Sequence, residues 1–418
     1  MRQYRVPLLI VMLMGIFFSS IFIYRIETKK RILQTELIEL SKVKYGIFSV
    51  DEWEKELSQI IIKQLNEFEL QEQKEDTLRK TIADFLDTAV DELEESFYNR
   101  NSGSVKGFLK GSVASITDVF GVMRKDIPLL TESIIAFIND PKNKELAKQF
   151  LLEKMDEYSK KTFSEIDYNL YDKILEIHGV SDKETARLVI QTKIDLLEEQ
   201  QSPYSILLFS IVFVLVISLF FTTEFESIDF FLLTVICSCL LAIGLLLPMI
   251  NIDARISKME FQLLGESILF TDQVLYFKSK SILEVVSVMI QSSKLDVMAV
   301  GILVLSFSVV FPVSKLISSV FYIYSNKLGE NAIVKFMVFK TSKWSMADVM
   351  VVAIFMAFIG FSGIISEQLT DLESITTYVE MMTTNASSLQ IGFYLFTSFA
   401  VLSILISHKI TYSSPTSD

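Results

Sequence analysis

Residues 297–324 read VMAVGILVLSFSVVFPVSKLISSVFYIY, and residues 346–365 read MADVMVVAIFMAFIGFSGII. Each stretch is apolar and long enough to cross a bilayer as a helix, because about 20 such residues span the roughly 30 Å hydrocarbon core. Each also holds a single charge, Lys315 in the first and Asp348 in the second. A charge inside a bilayer costs about 2.5 kcal/mol or more, so it usually faces a partner, a cavity or a route through the protein. The two stretches therefore predict a helical membrane protein with a polar site inside it.

Four further apolar segments bring the number of predicted spans to six. The six are residues 6–24, 204–222, 230–250, 297–324, 344–365 and 389–406. The first follows Arg2 and Arg5, is long for a signal-peptide core and precedes no small-residue cleavage pattern, so we expect an uncleaved anchor.

Lysine and arginine residues collect on the cytoplasmic side of a membrane protein, and their distribution predicts the orientation. Arg2 and Arg5 place the N-terminus inside, and the loop between spans four and five carries Lys327, Lys335, Lys340 and Lys343. We therefore expect both termini in the cytoplasm and residues 25–203 outside it. The connection TTEFESID at residues 222–229 carries only acidic charges where this orientation expects basic ones.

The charges of the chain are concentrated in one block. The protein has 418 residues, 50% of them hydrophobic, and a net charge of −12, and 61 of its 90 charged residues lie within residues 25–200. This block alternates apolar and polar residues at helical spacing and carries a helix-start pattern at Ser181 and Glu184, so we expect a bundle of helices. The chain has no basic stripe with interleaved aromatic residues, which argues against binding nucleic acid.

These patterns predict a mainly α, polytopic membrane protein with about six spans, a large helical periplasmic domain and a small periplasmic β-hairpin. The predicted division is an anchor helix at residues 1–24, a periplasmic helical domain at 25–203, a second span at 204–222, a four-span module at 223–410 and a cytoplasmic tail at 411–418. Within the module, residues 251–296 form an outer segment. Its sequence RISKMEFQLLGE alternates as a strand does, SILFTDQVLYF supplies a partner strand, and SILEVVSVMIQSS returns to helical spacing. Whether this segment is more than a structural lid over the spans stays open.

No cofactor, metal or catalytic group is expected. Cys237 and Cys239 lie in an apolar run, where two cysteines make poor zinc ligands and pack as small apolar side chains. His178 and His408 do not complete a ligand set. The chain has no G-x-x-x-x-G-K-[ST] loop, so no nucleotide-binding site of that type is expected. We expect a protein that is not an enzyme.

Four segments in this order resemble the paraquat-inducible protein A family: LLLPMINID, FPVSKLISSVFYIY, SKWSMADVMVVAIFMAFI and GFYLFTSFAVLSILISHKI. The resemblance covers roughly residues 228–410, and its structural motif includes Pro248, Pro312, Trp344 and Met346. The chain departs from familiar members by having one module, no four-cysteine zinc ribbon, and two added N-terminal spans around a large outer domain.

The resemblance implies an inner-membrane protein of a Gram-negative envelope that works with a periplasmic MCE-domain protein and moves phospholipid or another envelope lipid. It also implies an intramembrane polar network of Ser308, Lys315, Ser345 and Asp348. The spacing fits such a network, since seven residues separate Ser308 from Lys315 and three separate Ser345 from Asp348, which places each pair on one helix face.

Other interpretations of these residues and of the chain remain open. Lys315 can extend to the cytoplasmic surface and Asp348 can cap the fifth span near the headgroups. The whole chain also fits a membrane-anchored envelope sensor or assembly factor that uses its outer helical domain, and the intramembrane charges alone fit an ion or small-solute transporter.

Overall fold

The computed structural model describes residues 5–46, 167–222, 225–263, 266–324, 347–374 and 379–413, together with isolated positions between 49 and 135 and at 334 and 336. Within these residues, six helices are long and apolar enough to cross a membrane. They lie at Arg5–Leu40, Lys183–Phe221, Ser227–Leu246, Leu295–Tyr324, Val349–Glu367 and Ile391–Ile410. The predicted fold class, a mainly helical multi-pass membrane protein, is confirmed.

The elements follow one another along the chain in this order. The helices are α1 (Arg5–Leu40), α2 (Asn169–His178), α3 (Lys183–Phe221), α4 (Ser227–Leu246), α5 (Ile282–Ile290), α6 (Leu295–Leu305), α7 (Phe311–Tyr324), α8 (Ala347–Ser374) and α9 (Ile391–Ser413). A short 3-10 turn at Val43–Tyr45 follows α1, and a π-helical segment at Ser306–Val310 joins α6 to α7. The strands are β1 (Ile250–Leu263), β2 (Glu266–Lys280), β3 (Val379–Asn385) and β4 (Ser388–Leu389).

Helices α1 and α3 are much longer than a bilayer requires. With 36 and 39 residues they extend about 54 and 58 Å at 1.5 Å per residue, against about 30 Å of hydrocarbon. Both run without interruption through the positions at which the sequence predicted the membrane boundary, and α3 includes Pro203. Beyond the bilayer the two helices form a paired stalk, and α2 packs on it through a second apolar cluster that includes Ile174 and Ile190.

The stalk helix α3 begins one residue later than the sequence predicted. Asp182, not Ser181, is the residue that caps it, and the Asp182 carboxylate accepts a hydrogen bond from the Thr185 backbone N–H at 2.8 Å. This bond lowers the pKa of Asp182. The sequence carries a second helix-start pattern at Ser49 and Glu52, and Glu52 lies outside the residues that the structure describes.

The predicted β-hairpin is present and is part of a larger sheet. Strands β1 and β2 pair antiparallel from Ile250 opposite Lys280 to Leu263 opposite Glu266. The sequence did not predict β3 and β4, which lie in the connection between the fifth and sixth spans and pair antiparallel with β1, giving the order β2-β1-β3. The sheet therefore joins the segment after the third span to the segment after the fifth.

The sheet also rests on the stalk. The Val274 backbone N–H of β2 donates to the Ser41 carbonyl at 2.7 Å, just beyond the end of α1. Asp272 of β2 accepts from Arg187 of α3 and from Arg255 of β1, the latter at 2.8 Å. These contacts place the sheet and the stalk on the same side of the spans, which we call the sheet side.

Among the spans, α4 and α9 pack closely because two glycines leave room where the helices meet. A Cβ atom on Gly244 of α4 would lie 2.9 Å from the Phe396 backbone nitrogen of α9, and one on Gly392 would lie 2.5 Å from the carbonyl oxygens of Leu247 and Pro248. Phe396 is fully buried at this interface. The predicted motif residue Pro248 is thus a close backbone neighbour of α9, and its carbonyl accepts from Gly392 N–H at 3.0 Å.

Candidate functional site

The fourth span changes its helical geometry around Ser308. Residues Ser306–Val310 form a π-helical turn, in which Phe311 N–H donates to the Ser306 carbonyl five residues earlier. Pro312 follows directly, and a proline lacks the N–H that would bond the carbonyl of Ser308 four residues back. Short π-helical insertions of this kind occur often at functional sites. The local sequence thus bends the span at the predicted polar position.

Lys315 lies inside the bundle of spans. Its side chain belongs to a residue only 4% exposed, and its Nζ donates to Ser403 Oγ of α9 at 3.0 Å and lies 3.5 Å from the Ser403 carbonyl oxygen. This contact joins the fourth span to the sixth. Within the described residues, Lys315 thus contacts another span, inside the bundle.

Ser308 is fully buried, and its Oγ has no hydrogen-bond partner among the residues that the structure describes. A buried hydroxyl without a partner costs about 1–3 kcal/mol, so such a group usually has an explanation in a bound ligand, a water or a second state of the protein. Together with the π-helical turn, it marks this part of the fourth span as a candidate site.

The second half of the predicted network lies mostly outside the described residues. Helix α8 begins at Ala347, so Asp348 is in its first turn, but the position of the Asp348 side chain is not described. Ser345, Trp344 and Met346 lie outside the described residues as well. The structure therefore brings Ser308 and Lys315 into one span interior, and the predicted contact between Lys315 and Asp348 stays a prediction.

Sequence reasoning missed Ser403, the hydrogen-bond partner of Lys315. A signal was present, because Ser403 and Ser407 stand four residues apart in an apolar span and so share a face. In the structure Ser407 Oγ donates to the Ser403 carbonyl at 2.7 Å, and Ser319 Oγ donates to the Lys315 carbonyl at 2.8 Å. These hydroxyls satisfy backbone carbonyls in the two spans on either side of the ammonium.

The fourth span carries two polar side chains inside the bundle. Lys315 supplies up to three N–H donors, and Ser308 supplies a hydroxyl that is both donor and acceptor. In a site of low dielectric constant each such bond is stronger than in water, and an unmade one costs more. A change at Lys315 is therefore felt by α7 and α9 together.

The family model for paraquat-inducible protein A matches residues 269–369. This stretch is similar to the paraquat-inducible protein A family. It runs from β2 through α5 and the fourth span to the fifth, and it contains the π-helical turn with Lys315. No curated protein and no solved structure matched the chain.

The matched segment is shorter than the resemblance seen in the sequence, which reached from residue 228 to residue 410. All four predicted network residues of the paraquat-inducible protein A segment lie inside it, whereas Pro248 and Ser403 lie outside. Ser403 nevertheless completes the surroundings of Lys315. The site thus combines the family segment with the sixth span.

Proposed function

We propose that the protein is a non-enzymatic inner-membrane subunit of a lipid transport system of the bacterial envelope. It loads lipid into, or collects lipid from, a periplasmic MCE-type partner. In this proposal residues 25–203 and the sheet are periplasmic, and both termini are cytoplasmic. The observation that carries the proposal is the contact of buried Lys315 with Ser403, about two helical turns after the middle of a π-helical turn in the same span.

Lys315 acts as a gate in this proposal. Its hydrogen bond to Ser403 joins the fourth span to the sixth, and hydrogen bonds to charged groups contribute about 1.5–3 kcal/mol. Exchanging Ser403 for another partner, such as the Asp348 carboxylate on the fifth span, moves the spans relative to one another. Lipid then passes when the pairing of Lys315 changes.

Lys315→Met tests the gate. Burying a charge is costly, and Ser403, the partner that Lys315 has in the sixth span, is neutral, so we expect Lys315→Met to keep thermal stability and membrane insertion. We expect transport of a labelled phospholipid between the two membranes, and the envelope barrier to detergent, to fall to the level of cells without the protein. Loss of function without loss of stability separates a gating role from a structural one.

Two serine variants of the sixth span form a matched pair for the same assay. Ser403→Ala removes a hydroxyl that accepts from Lys315, whereas Ser398→Ala removes a hydroxyl that donates to the Tyr394 carbonyl of its own helix. We expect Ser403→Ala to lower transport about tenfold, as loss of a charge-assisted hydrogen bond implies, and Ser398→Ala to leave it unchanged. Normal transport in Lys315→Met would contradict the proposed gate.

A second candidate function is a membrane-anchored sensor or assembly factor. The observation in its favour is that α1 and α3 run unbroken from the stalk into the bilayer, with Lys30 of α1 3.1 Å from Glu27 and 3.5 Å from Glu198 of α3. Such paired helices can carry a shift of the outer region across the membrane. Mass spectrometry of lipid that co-purifies with the protein distinguishes the transport function from the sensor function. If the protein is a sensor, we expect no more lipid than with a control membrane protein.

A further inference from the structure

A cleft of about 420 Å³ opens between the third and fourth spans. On α4 it is lined at every fourth residue, by Thr234, Ser238, Ala242 and Leu246, which share one helix face. Val313 and Ile317 of α7 belong to the facing wall. We call this space the cleft.

The cleft is apolar in effect although two of its residues carry hydroxyls. Thr234 Oγ1 donates to the Phe230 carbonyl at 2.8 Å, and Ser238 Oγ donates to the Thr234 carbonyl at 2.9 Å. Both donors are therefore used within α4. What the cleft presents to an occupant is hydrocarbon.

The length of the cleft matches one leaflet of a bilayer. Thr234 and Leu246 are twelve residues apart, which is about 18 Å along a helix, and half of a hydrocarbon core is about 15 Å. Leu246 is at the end of α4 on the sheet side. The cleft therefore runs from the middle of the membrane to its surface, as an acyl chain does.

A second cavity of about 340 Å³ adjoins the cleft at this surface, and the two share Leu246 and Leu283. We call it the mouth. Its polar lining includes Glu27 and Arg31 of α1, together with Ser281 and Glu284 at the start of α5. Cleft and mouth together form one amphipathic space, with an apolar length and a polar end.

The mouth presents both signs of charge. Arg31 pairs with Glu284 at 2.6 Å, and both side chains are about one third exposed. Glu27 is only 2% exposed, and its Oε2 forms an ion pair with the Lys30 ammonium at 3.1 Å. A carboxylate has about four lone-pair sites on its two oxygens, so Glu27 can accept from an N–H donor of a ligand while it keeps Lys30.

We propose that the cleft and the mouth together bind one zwitterionic phospholipid with an ammonium-bearing headgroup. One of its two acyl chains lies in the cleft and the other lies among the bilayer lipids, its phosphate binds Arg31, and its ammonium binds Glu27. Arg31 has five N–H donors, so it binds a phosphate oxygen while it keeps Glu284. This assignment rests on the proposed lipid-transport function and names the lipid class that the function acts on.

The cleft is tested by a side chain that fills it. The full-length protein is incubated with mixed micelles of phosphatidylethanolamine and phosphatidylglycerol of equal chain length, and retained lipid per protein is measured by mass spectrometry. Ala242 lines the cleft without being buried, so Ala242→Trp fills the space without displacing core residues. We expect about tenfold less retained lipid, whereas Val214→Trp on the exposed face of α3 retains as much as the wild type. Equal retention in the two variants means ordinary surface lipid only and overturns the proposal.

The headgroup is tested by a matched pair of glutamates that both face Lys30. Glu27→Gln removes the carboxylate in the mouth, and Glu198→Gln removes one outside it. We expect the wild type and Glu198→Gln to prefer phosphatidylethanolamine about tenfold, and Glu27→Gln to lose this preference. A preference that survives Glu27→Gln, or that is absent from the wild type, overturns the assignment of the headgroup.

The lipid site formed by the cleft and the mouth is tested separately from the proposed function. Lipid retention is measured on purified protein, whereas the gating role of Lys315 is tested by measuring lipid transport in cells that carry Lys315→Met. If Ala242→Trp loses bound lipid while Lys315→Met transports normally, the lipid site is supported and the gating role of Lys315 is contradicted. If Ala242→Trp retains lipid while Lys315→Met loses transport, the gating role is supported and the lipid site is contradicted.

Discussion

Single charged residues define both ends of the membrane domain and are held by specific partners. At one end Arg5 lies 3.5 Å from Asp229, which caps α4. At the sheet side Arg31 of α1 pairs with Glu284, the third residue of α5, whose carboxylate also accepts from the Ser281 backbone N–H. These contacts join the N-terminal helix to the module that follows it in sequence.

The Arg31–Glu284 pair predicts a pH dependence. Burial alone would raise the pKa of Glu284, but the Ser281 N–H, Arg31 and Lys280 outweigh it and hold the pKa below its ordinary value of 4.5. A carboxylate with a lowered folded-state pKa stabilises the protein above about pH 4.5, and this contribution is lost as the pH falls through the folded-state pKa. We expect the melting temperature of the wild type to exceed that of Glu284→Gln at about pH 7 and to approach it in acid. Glutamine still fits the capping box at this position, so the helix start is preserved. A difference that stays constant with pH would show that the pair is not responsible.

At the scale of single residues, the sequence singled out Lys315 but did not indicate Ser403, with which it forms a hydrogen bond. Lys315 stood out because one lysine in 28 apolar residues is costly in a membrane, and the structure confirms that it is buried. Its contact with Ser403 depends on how α7 and α9 pack, 88 residues apart in sequence. No local sequence pattern indicates that Lys315 and Ser403 are in contact.

The sequence predicted those helices and strands whose apolar residues recur at regular spacing. It did not predict elements that form only because they pair with a distant part of the chain. The spans follow from hydropathy, and the β1–β2 hairpin follows from its alternating side chains. Strand β3 has only seven residues, and it is a strand because the edge of β1 offers it a ladder of hydrogen bonds. The π-helical turn likewise arises where Pro312 and the packing of the fourth span act together.

Close contact between elements predicts a large effect for one glycine and none for another. A methyl group on Gly392 would meet backbone oxygens at 2.5 Å, which cannot move aside as a side chain does. We expect Gly392→Ala to destabilise the protein by about 1–3 kcal/mol, the usual cost of overpacking. A methyl group on Gly360 of α8 would meet no described atom within 4 Å, so Gly360→Ala is expected to be neutral or slightly stabilising. Thermal unfolding in one detergent compares the two, and equal melting temperatures would contradict the close packing of α4 against α9.

At the scale of the whole molecule, the sheet connects parts that are far apart in sequence. It pairs the segment after the third span with the segment after the fifth, and Asn385 of β3 donates to the Ser362 carbonyl of α8 at 2.9 Å. It also contacts the stalk through Ser41 and Arg187. The sheet therefore forms a continuous set of contacts from the stalk to the fifth span, and no local pattern in the sequence indicates this connection.

Asp272 is the residue through which this connection is best tested. It accepts from Arg187 of the stalk and from Arg255 of β1, and with Asp253 it raises the pKa of Arg255, so that the guanidinium stays charged in spite of its burial. Asp272 has a φ of 51°, a conformation that asparagine also tolerates, so Asp272→Asn removes the charge and keeps the backbone.

We expect Asp272→Asn to separate the sheet from the stalk without unfolding either. Amide hydrogen exchange should become faster in β2 and at the start of α3, because local opening there no longer breaks a charged contact. The matched control is Glu184→Gln, which removes the other, exposed carboxylate near Arg187 and should leave exchange in β2 unchanged. A double-mutant cycle of Asp272→Asn with Arg187→Gln should give a coupling free energy of about 0.5–3 kcal/mol, as residues in direct contact do. A coupling near zero would mean that the stalk and the sheet are held together elsewhere, for example by the hydrogen bond from the Val274 N–H to the Ser41 carbonyl.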